Sequence, residues 1–320
     1  MRYAFESTSK RRLETDTQAG TLGTAILGGI LDSLTNPSDS STSSEEAPAR
    51  LPSKFNACIR RPESAKRLKS MLDKYNANLH IYENDNLPAV QEAGVVLLGC
   101  KPYMVEGLLN DDSMRNALRN KLLISILAGV PETQIQKILY PGEVPADACK
   151  IVRAMPNTAA AVRESMTVIA TSNPPLPAET NNLITWIFTR VGKVVHLPPA
   201  QMDVSTALCG SGPGFVASML ESLAMGAVAM GLPREEAYTM AAQTMRGTTG
   251  LVLGGEHPSM LRDKVSTPGG CTIGGLLVLE EAGVRGSIAK AVREATVVAS
   301  QLGQGKQGVC LLYTSDAADE

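Results

Sequence analysis

Two loops in the C-terminal third carry the residue types that bind a small anion. TPGGCT at 267–272 places hydroxyl, glycine and backbone amide groups at the entrance of an apolar helix, and SGPG at 211–214 precedes a second helix rich in small residues. Free N–H groups at a helix entrance attract carboxylates and phosphates. The alternative explanation is that these residues cap the helices and allow close packing, because both use the same residue types. Two such entrances in a region with few other polar groups nevertheless favour a ligand site.

A third glycine-containing segment, AGTLGTAIL from residue 19, is typical of the turn that receives a dinucleotide pyrophosphate. Gly20 would let the backbone approach the phosphates, and Gly23 would let the following helix pack against a sheet. Gln18 stands where the first glycine of GxGxxG belongs, and the preceding SKRRLETDT is not an apolar strand. A phosphate loop and simple packing of small residues in a helix are equally compatible with this fragment.

Other candidate ligand residues follow predicted strands. Arg60 and Arg61 end the strand candidate KFNACIR, where an acidic side chain would bind a ribose 2′-hydroxyl and basic ones accommodate a 2′-phosphate. They favour NADPH over NADH. The alternative is that both arginines are simply solvent-exposed basic residues at the start of a helix. Loops at 99–102, 126–129 and 156–158 follow further apolar runs. Because the carboxyl ends of parallel strands form a ligand crevice, three successive loops favour a site there.

The elements that would position these residues divide the chain in two. Up to residue 199, short Val-, Ile- and Leu-rich runs alternate with helical segments, which predicts an α/β Rossmann-like domain with a mostly parallel sheet and a degenerate first strand. The Ser-rich stretch at 36–49 is predicted to be a flexible insertion. Residues 200–303 contain only helical patterns and predict an all-α domain. Residues 304–320 leave that pattern and are predicted to be a disordered or non-native tail.

Composition excludes several functions for the 320 residues. The chain is 43% hydrophobic and 19% charged with a net charge of −2, so it has no basic field for nucleic acid or an anionic membrane. Six dispersed cysteines predict reduced thiols in the cytoplasm, and three histidines without ligand spacing predict no metal site. The N-terminus has no apolar signal segment. No P-loop or nucleophile–histidine pattern is present.

Together these motifs resemble the Δ1-pyrroline-5-carboxylate reductase family from about residue 20 to 301. The resemblance is carried by GTLGTAIL, CIRRPESAKRL, ISILAGV, AMPNTAAAV, ALCGSGPGF and above all TPGGCTIGGLLVLEEAGVR, and the Ser-rich insertion resembles fungal members. It implies NAD(P)H-dependent reduction of L-1-pyrroline-5-carboxylate to L-proline, the last step of proline biosynthesis. It also implies a Rossmann domain followed by a helical dimerisation domain, and homo-oligomers in which dimers often assemble into decamers.

The resemblance further implies the roles of individual residues. Those that would bind the cofactor are Gly20, Thr21, Leu22, Gly23, Asn86, Gly99, Cys100, Lys101, Pro102, Ile126, Leu127 and Ala128, in addition to Arg60 and Arg61. Those that would bind the substrate carboxylate are Thr267, Gly269, Gly270, Cys271 and Thr272. Thr272 matches the hydroxyl near the substrate ring nitrogen and would donate a hydrogen bond or relay a proton there.

Departures at both ends keep two other functions open. The family's short apolar first strand is replaced by STSKRRLETDT, so the central strand would be lost or formed by poorly suited residues. CLLYTSDAADE is unlike a native final helix. A catalytically impaired homologue that oligomerises but binds cofactor poorly is therefore the alternative. Another two-domain NADP reductase, of the β-hydroxyacid dehydrogenase type, ranks lower because TPGGCT is not the pattern of those enzymes.

Overall fold

The computed structural model describes residues 2–7, 11–17, 21–36, 48–75 and 78–304, with side chains from Leu22 onward. Gly20, most of the predicted insertion and the tail beyond 304 lie outside these residues. The chain forms two compact units. The first contains residues 1–210 and the end of the chain from Thr296, and the second contains Ser211–Ala295.

The first unit is built on a sheet with nine strands in the described part of the chain, in the order β4-β3-β1-β2-β5-β6-β7-β8-β9. The strands are β1 (Arg2–Ser7), β2 (Arg11–Thr17), β3 (Pro52–Ile59), β4 (Leu79–Glu83), β5 (Val95–Gly99), β6 (Leu122–Ser125), β7 (Lys150–Met155), β8 (Ser165–Ala170) and β9 (Gly192–Leu197). The helices are α1 (Thr21–Thr35), α2 (Pro62–Leu72), α3 (Leu87–Glu92), α4 (Val105–Leu109), α5 (Asp112–Leu118), α6 (Glu132–Leu139), α7 (Ala178–Thr189) and α8 (Met202–Ser205).

The sheet is mostly parallel, as the alternating pattern predicts. Strands β2 to β7 run parallel to one another, whereas β1 is antiparallel to β2, β3 and β5. Strand β8 is antiparallel to β7, and β9 is parallel to β8. One face is covered by α1, α2 and α7, and the other by α3 to α6. Strand β6 is buried along its whole length, which explains its continuous apolar run LLIS. This architecture confirms the predicted Rossmann-like fold.

The central strand of the sheet is formed by Arg11–Thr17. Strand β2 pairs in parallel with β5, from Leu13 opposite Val95 to Thr17 opposite Gly99, and also with β3. The preceding strand β1 pairs antiparallel with β3. The prediction that the central strand is lost is therefore wrong. The other expected outcome is confirmed: the strand is formed by residues with low preference for a central strand. It can form because its pairing with neighbouring strands satisfies the backbone N–H and C=O groups, and this pairing does not depend on the side chains.

Close packing under the sheet requires a glycine in α1. A Cβ atom at Gly29 would lie 2.7 Å from the carbonyl oxygen of Arg190 and 2.9 Å from a side-chain carbon of Val191. These atoms follow α7 and lead into β9, so α1 approaches that backbone more closely than any side chain allows. The small residues of α1 thus serve helix packing in at least this position.

The second unit is helical throughout, as predicted. It contains α9 (Gly212–Ala229), α10 (Arg234–Leu253), α11 (Pro258–Val265), α12 (Cys271–Glu281) and most of α13 (Val284–Gly303). Among its apolar residues only Ala224 and Ala237 are buried. Three consecutive residues of α12, Leu277, Val278 and Leu279, are 64%, 64% and 49% exposed. Because consecutive helical residues point about 100° apart, α12 is apolar on several sides, and such a helix is normally surrounded by protein.

Candidate active site

The predicted cofactor residues within the described chain gather at one edge of the first unit. Strands β2, β3, β5, β6 and β7 are parallel, and their last residues lie at similar levels: Leu98 is opposite Ser125, and Ser125 is opposite Arg153. The carboxyl edge of a parallel sheet is where ligands bind in such folds. The sequence therefore brings loops that are far apart in the chain to a common crevice.

The end of β3 presents two positive charges. Arg60 and Arg61 are both exposed, and Arg61 is the N-cap of α2, where Pro62 takes the first helical position. The described residues provide no ion-pair partner for either guanidinium. Two exposed arginines in place of a carboxylate at this position suit a phosphate on the ribose rather than a free hydroxyl.

The entrance of α1 is only partly described. Thr21 is its first residue, Leu22 packs half-buried against the core, and Gly23 is buried. Gly20, which precedes the helix, lies outside the described residues. The helix nevertheless begins directly after the carboxyl end of β2, so its free N–H groups belong to the same edge as the arginines.

The loops after β4, β5 and β6 combine buried and exposed positions. Asn86 is the half-buried N-cap of α3, and its side chain makes no capping hydrogen bond. Gly99 is half-buried, Cys100 is buried, and Lys101 and Pro102 are exposed. In the next loop Ile126 and Leu127 are buried and Ala128 is exposed. Of these predicted residues, the exposed ones, Lys101, Pro102 and Ala128, are accessible to a ligand at this edge.

The end of α13 packs against the β6 loop. Gly129 has a φ of +72°, and a Cβ atom there would lie 3.1 Å from the carbonyl oxygen of Ala299 and 3.2 Å from Cβ of Leu302. A side chain at Gly129 is excluded by both the backbone conformation and the contact. The last turn of α13 therefore supports one of the predicted cofactor loops.

The TPGGCT segment of the second unit forms a turn that leads into α12. The N–H of Gly270 donates to the carbonyl of Thr267 at 3.0 Å, and Gly269, at the third position of the turn, has a φ of +69°. Proline followed by a glycine with positive φ is the pattern of a type II turn. A Cβ atom at Gly270 would lie 2.4 Å from Oγ1 of Thr267. The Thr267 hydroxyl thus lies next to Gly270 at the helix entrance.

The entrance of α12 offers donors for a carboxylate. No side chain caps this helix, whose N-cap is Gly270. The first N–H groups of a helix have no partner inside it, so those of Cys271 and Thr272 are available at the same end as the Thr267 hydroxyl. Cys271 is exposed and Thr272 half-buried. The five predicted substrate residues are therefore brought together within one turn.

A cavity of about 300 Å³ lies elsewhere in the first unit. Its lining includes Arg50, Val95, Leu122 and Lys150, which stand at or near the amino ends of strands. It contains none of the predicted site residues. Since ligands of parallel sheets bind at the carboxyl ends, this cavity is separate from the predicted crevice.

One polar cluster at the carboxyl edge was not predicted from the sequence. Arg153 is only 5% exposed on β7, and its Nη2 lies 3.2 Å from Oδ1 of Asp203 and 3.5 Å from Oγ1 of Thr206. Desolvation by burial lowers the pKa of Arg153, and Asp203 opposes that shift. An arginine in the middle of the apolar run KIVRAM was the available signal, because a buried charge requires a partner.

Comparison with known families identifies both parts of the chain. Residues 199–302 match the family described as pyrroline-5-carboxylate reductase dimerisation, and residues 19–129 match the family described as NADP oxidoreductase, coenzyme F420-dependent. A pyrroline-5-carboxylate reductase from Lophium arboricola is 61% identical over 298 residues, covering 91% of this chain and 93% of that protein. One from Neurospora crassa is 52% identical over 303 residues, covering 89% and 91%.

Solved structures agree with these matches. A pyrroline-5-carboxylate reductase from Coxiella burnetii is 28% identical with a TM-score of 0.72, covering 90% of this chain and 97% of that one. The Plasmodium falciparum pyrroline carboxylate reductase, crystallised with NADP bound, shares the fold with a TM-score of 0.69, at 24% identity and with coverage of 90% and 97%. On the level and extent of identity to its relatives, this chain belongs to the pyrroline-5-carboxylate reductase family.

Proposed function

We propose that this chain reduces L-1-pyrroline-5-carboxylate to L-proline with NADPH, the last step of proline biosynthesis. The observation that carries the proposal is the turn at Thr267–Gly270, which holds a hydroxyl over the uncapped entrance of α12. That arrangement suits a small carboxylate. Two relatives more than 50% identical to this chain bear the name of the same reductase.

The cofactor is proposed to lie along the carboxyl edge of the first unit. When bound, NADPH supplies the hydride. The entrance of α1 would receive the pyrophosphate, and Arg60 and Arg61 would bind the 2′-phosphate that distinguishes NADPH from NADH. Lys101, Pro102 and Ala128 are the exposed predicted residues of the two loops beyond it. Use of NADH remains compatible with the rest of this edge, since only the two arginines discriminate the 2′ position.

The substrate is proposed to bind at the entrance of α12. The hydroxyl of Thr267 and the N–H groups of Cys271 and Thr272 would hold its carboxylate. The Thr272 hydroxyl would donate a hydrogen bond to the ring nitrogen or relay a proton to it. A cyclic imine that is partly protonated accepts hydride readily, so orientation of the reacting carbons is the main contribution required of the protein. This accounts for a site without a histidine.

The helical unit is a dimerisation domain by its family match, and we propose that it assembles into dimers and that dimers form decamers. The exposed apolar residues of α12 support burial against a second copy. By length and composition alone, Pro199–Ala229 is apolar enough to cross a membrane. Its position inside the dimerisation match favours protein contacts instead. A cytoplasmic location is proposed from the dispersed cysteines.

The second candidate function is that of an impaired homologue that assembles but binds cofactor poorly. It is favoured by the composition of β2, RRLETDT, at the centre of the sheet. Both candidates predict dimers. Only the reductase predicts oxidation of NADPH that depends on pyrroline-5-carboxylate. Dimers that leave NADPH unoxidised and show no NADPH binding by calorimetry would establish the impaired homologue.

A further inference from the structure

The helix that leads out of the sheet contains a π-helical turn. Residues Thr206–Ser211, TALCGS, form this turn between α8 and α9. π-Helical turns are rare and occur frequently at functional sites, because they reposition backbone groups at a small cost in helix stability. The turn includes most of the ALCGSG motif, to which the proposed function assigns no role.

Two anchors in the first unit hold this turn against the end of β7. The first is Arg153, which contacts Asp203 and the hydroxyl of Thr206 at the start of the turn. That hydroxyl donates to the carbonyl of Met202 at 2.8 Å, so it is fixed from both sides. The second anchor is Asn157, whose Nδ2 donates to the carbonyl of Cys209 at 3.0 Å.

Asn157 is itself fixed by the loop that follows β7. Its backbone N–H donates to Oγ of Ser165 at 3.0 Å, and its Oδ1 accepts from the N–H of Ala159 at 3.0 Å. The side-chain carbonyl of Asn157 thus accepts a hydrogen bond within its own loop, while its side-chain NH2 group donates one to the π-helical turn. Asn157 therefore joins the strand-end loop to the turn.

The Arg153 interaction is not explained by stability alone. Its side chain is 6% exposed, and Nε has no hydrogen-bond partner among the described residues. A buried ion pair with an unsatisfied donor is weak evidence for a stabilising contact, because desolvation offsets much of the attraction. Met155, Val168, Ala170 and Met202 form an apolar cluster in the same region. An apolar residue at position 153 would extend that packing without a buried charge.

We infer that Arg153 and Asp203 are positioning residues for the reaction, which fix the π-helical turn and the Asn157 loop at the reacting end of the crevice. The inference rests on the proposed function. Arg60 directly follows β3, and in the sheet β1, β2, β5 and β6 lie between β3 and β7. A cofactor whose 2′-phosphate binds at Arg60 and Arg61 would therefore extend its nicotinamide towards the β7 loop. A displaced loop there would disturb hydride transfer more than binding of the 2′-phosphate.

The test is the isosteric variant Asp203→Asn in the full chain, with Asp147→Asn as the matched control. Asp147 pairs with Arg119 at 3.0 Å in an exposed ion pair before β7 begins. We expect Asp203→Asn to lower kcat by about tenfold while the KM for NADPH changes less than about twofold. The kinetic isotope effect with NADPH deuterated at C4 should rise. Asp147→Asn should match the wild type in kcat, in the KM for NADPH and in the kinetic isotope effect.

Hydrogen exchange of residues 203–211 gives a readout that does not need turnover. We expect exchange in Asp203→Asn to be about tenfold faster than in Asp147→Asn, because the turn loses one anchor. If Asp203→Asn does not fold, Thr206→Val can be used instead, because it removes one contact of Arg153. It should also lower kcat and speed hydrogen exchange, but by smaller factors. Unchanged exchange, or faster exchange with wild-type kcat, would overturn the inference. An inactive wild type would instead contradict the proposed function, and the exchange data would still decide whether the anchor exists.

Discussion

At the scale of single residues, the proposed chemistry depends on Thr272. We expect Thr272→Val to lower kcat by about 100-fold, because it removes the hydroxyl proposed to face the ring nitrogen and keeps the shape of the side chain. Steady-state kinetics with pyrroline-5-carboxylate would measure this. Thr272→Ser should retain most activity. Thr248→Val makes the same chemical change on the exposed surface of α10 and should have no effect. Unchanged turnover and affinity in Thr272→Val would remove Thr272 from the mechanism.

Selectivity for the cofactor also depends on individual residues. We expect Arg61→Ser to raise the KM for NADPH by about tenfold, because a charged hydrogen bond to phosphate is lost, and to leave the KM for NADH unchanged. Lys69→Ser, a loss of charge at the other end of α2, is the control. Equal effects of Arg61→Ser on NADPH and NADH would exclude a 2′-phosphate contact.

Cys271 gives a direct probe of the proposed substrate loop. It is exposed, whereas burial raises the pKa of Cys149 to about 11 and also raises that of Cys209. A maleimide reagent at neutral pH should therefore label Cys271 much faster than those two, because the thiolate is the reactive form. Proline, as the product, should slow the labelling of Cys271 if its carboxylate binds at this helix entrance. Mass spectrometry of the labelled peptides would detect the change, and labelling insensitive to proline would argue against the assignment.

At the scale of elements, a hydroxyl at the end of α6 supports the link between α6 and β7. The N–H of Cys149 donates to Oη of Tyr140 at 2.9 Å. Tyr140→Phe would leave this buried amide without an acceptor, at a cost of about 1–3 kcal/mol in the free energy of unfolding. Thermal denaturation should show this loss of stability, while the KM values for NADPH and pyrroline-5-carboxylate stay unchanged. Tyr103→Phe, at a tyrosine that is 74% exposed, is the control.

The same link makes stability sensitive to alkaline pH. Burial raises the pKa of Cys149 from 9.0 to about 11. The unfolded chain loses this proton at lower pH than the folded chain, so stability should fall between about pH 9 and 11, by an amount on the order of 2 kcal/mol. Denaturant titrations across this range should show a shallower fall in Cys149→Ala. A parallel pH dependence in the two proteins would mean that Cys149 does not contribute.

The elements themselves were largely predictable, and the exceptions have physical reasons. The five helices of the second unit follow from their length, from the absence of convincing strand patterns and from Pro and Gly at their ends, as at Pro258 and Gly283. Strand β2 was not predictable, because its position in the sheet follows from pairing with β3 and β5 rather than from its own polar sequence. The π-helical turn has no periodicity that distinguishes it from an α-helix.

The candidate site was predictable in part. The turn at TPGGCT follows from local rules, since Pro268 and Gly269 specify the turn and the uncapped helix entrance. The pairing of Arg153 with Asp203 is a contact between residues 50 positions apart, which no local pattern contains. A single charged residue in an apolar strand indicated that a partner exists, but only the fold identifies which residue it is.

At the scale of the whole molecule, the second unit requires a partner. We expect Leu277→Asp to dissociate the dimer, because it introduces a charge on a helix that is apolar on several sides. Activity should be lost as well, since α12 carries the substrate loop at its entrance. Analytical ultracentrifugation would measure the assembly. Val144→Asp, at an exposed apolar residue of the first unit, should remain dimeric. A fully dimeric Leu277→Asp protein would place the interface elsewhere.

The composition of the central strand affects the stability of the first unit. Replacing RRLETDT with an apolar β-strand of equal length should raise the melting temperature, because a central strand of a sheet covered on both faces favours apolar residues. The KM for NADPH should fall or stay the same. A lower melting temperature would show that Arg11–Thr17 forms favourable interactions in its own right.

The central claim is that this chain, with its polar central strand, is a working reductase. Oxidation of NADPH by the purified, dimeric full-length chain, with proline quantified in the same sample, tests it most directly. We expect oxidation that depends on pyrroline-5-carboxylate, one proline formed for each NADPH consumed, and a large loss of activity in Thr272→Val. A folded dimer that forms no proline would contradict it.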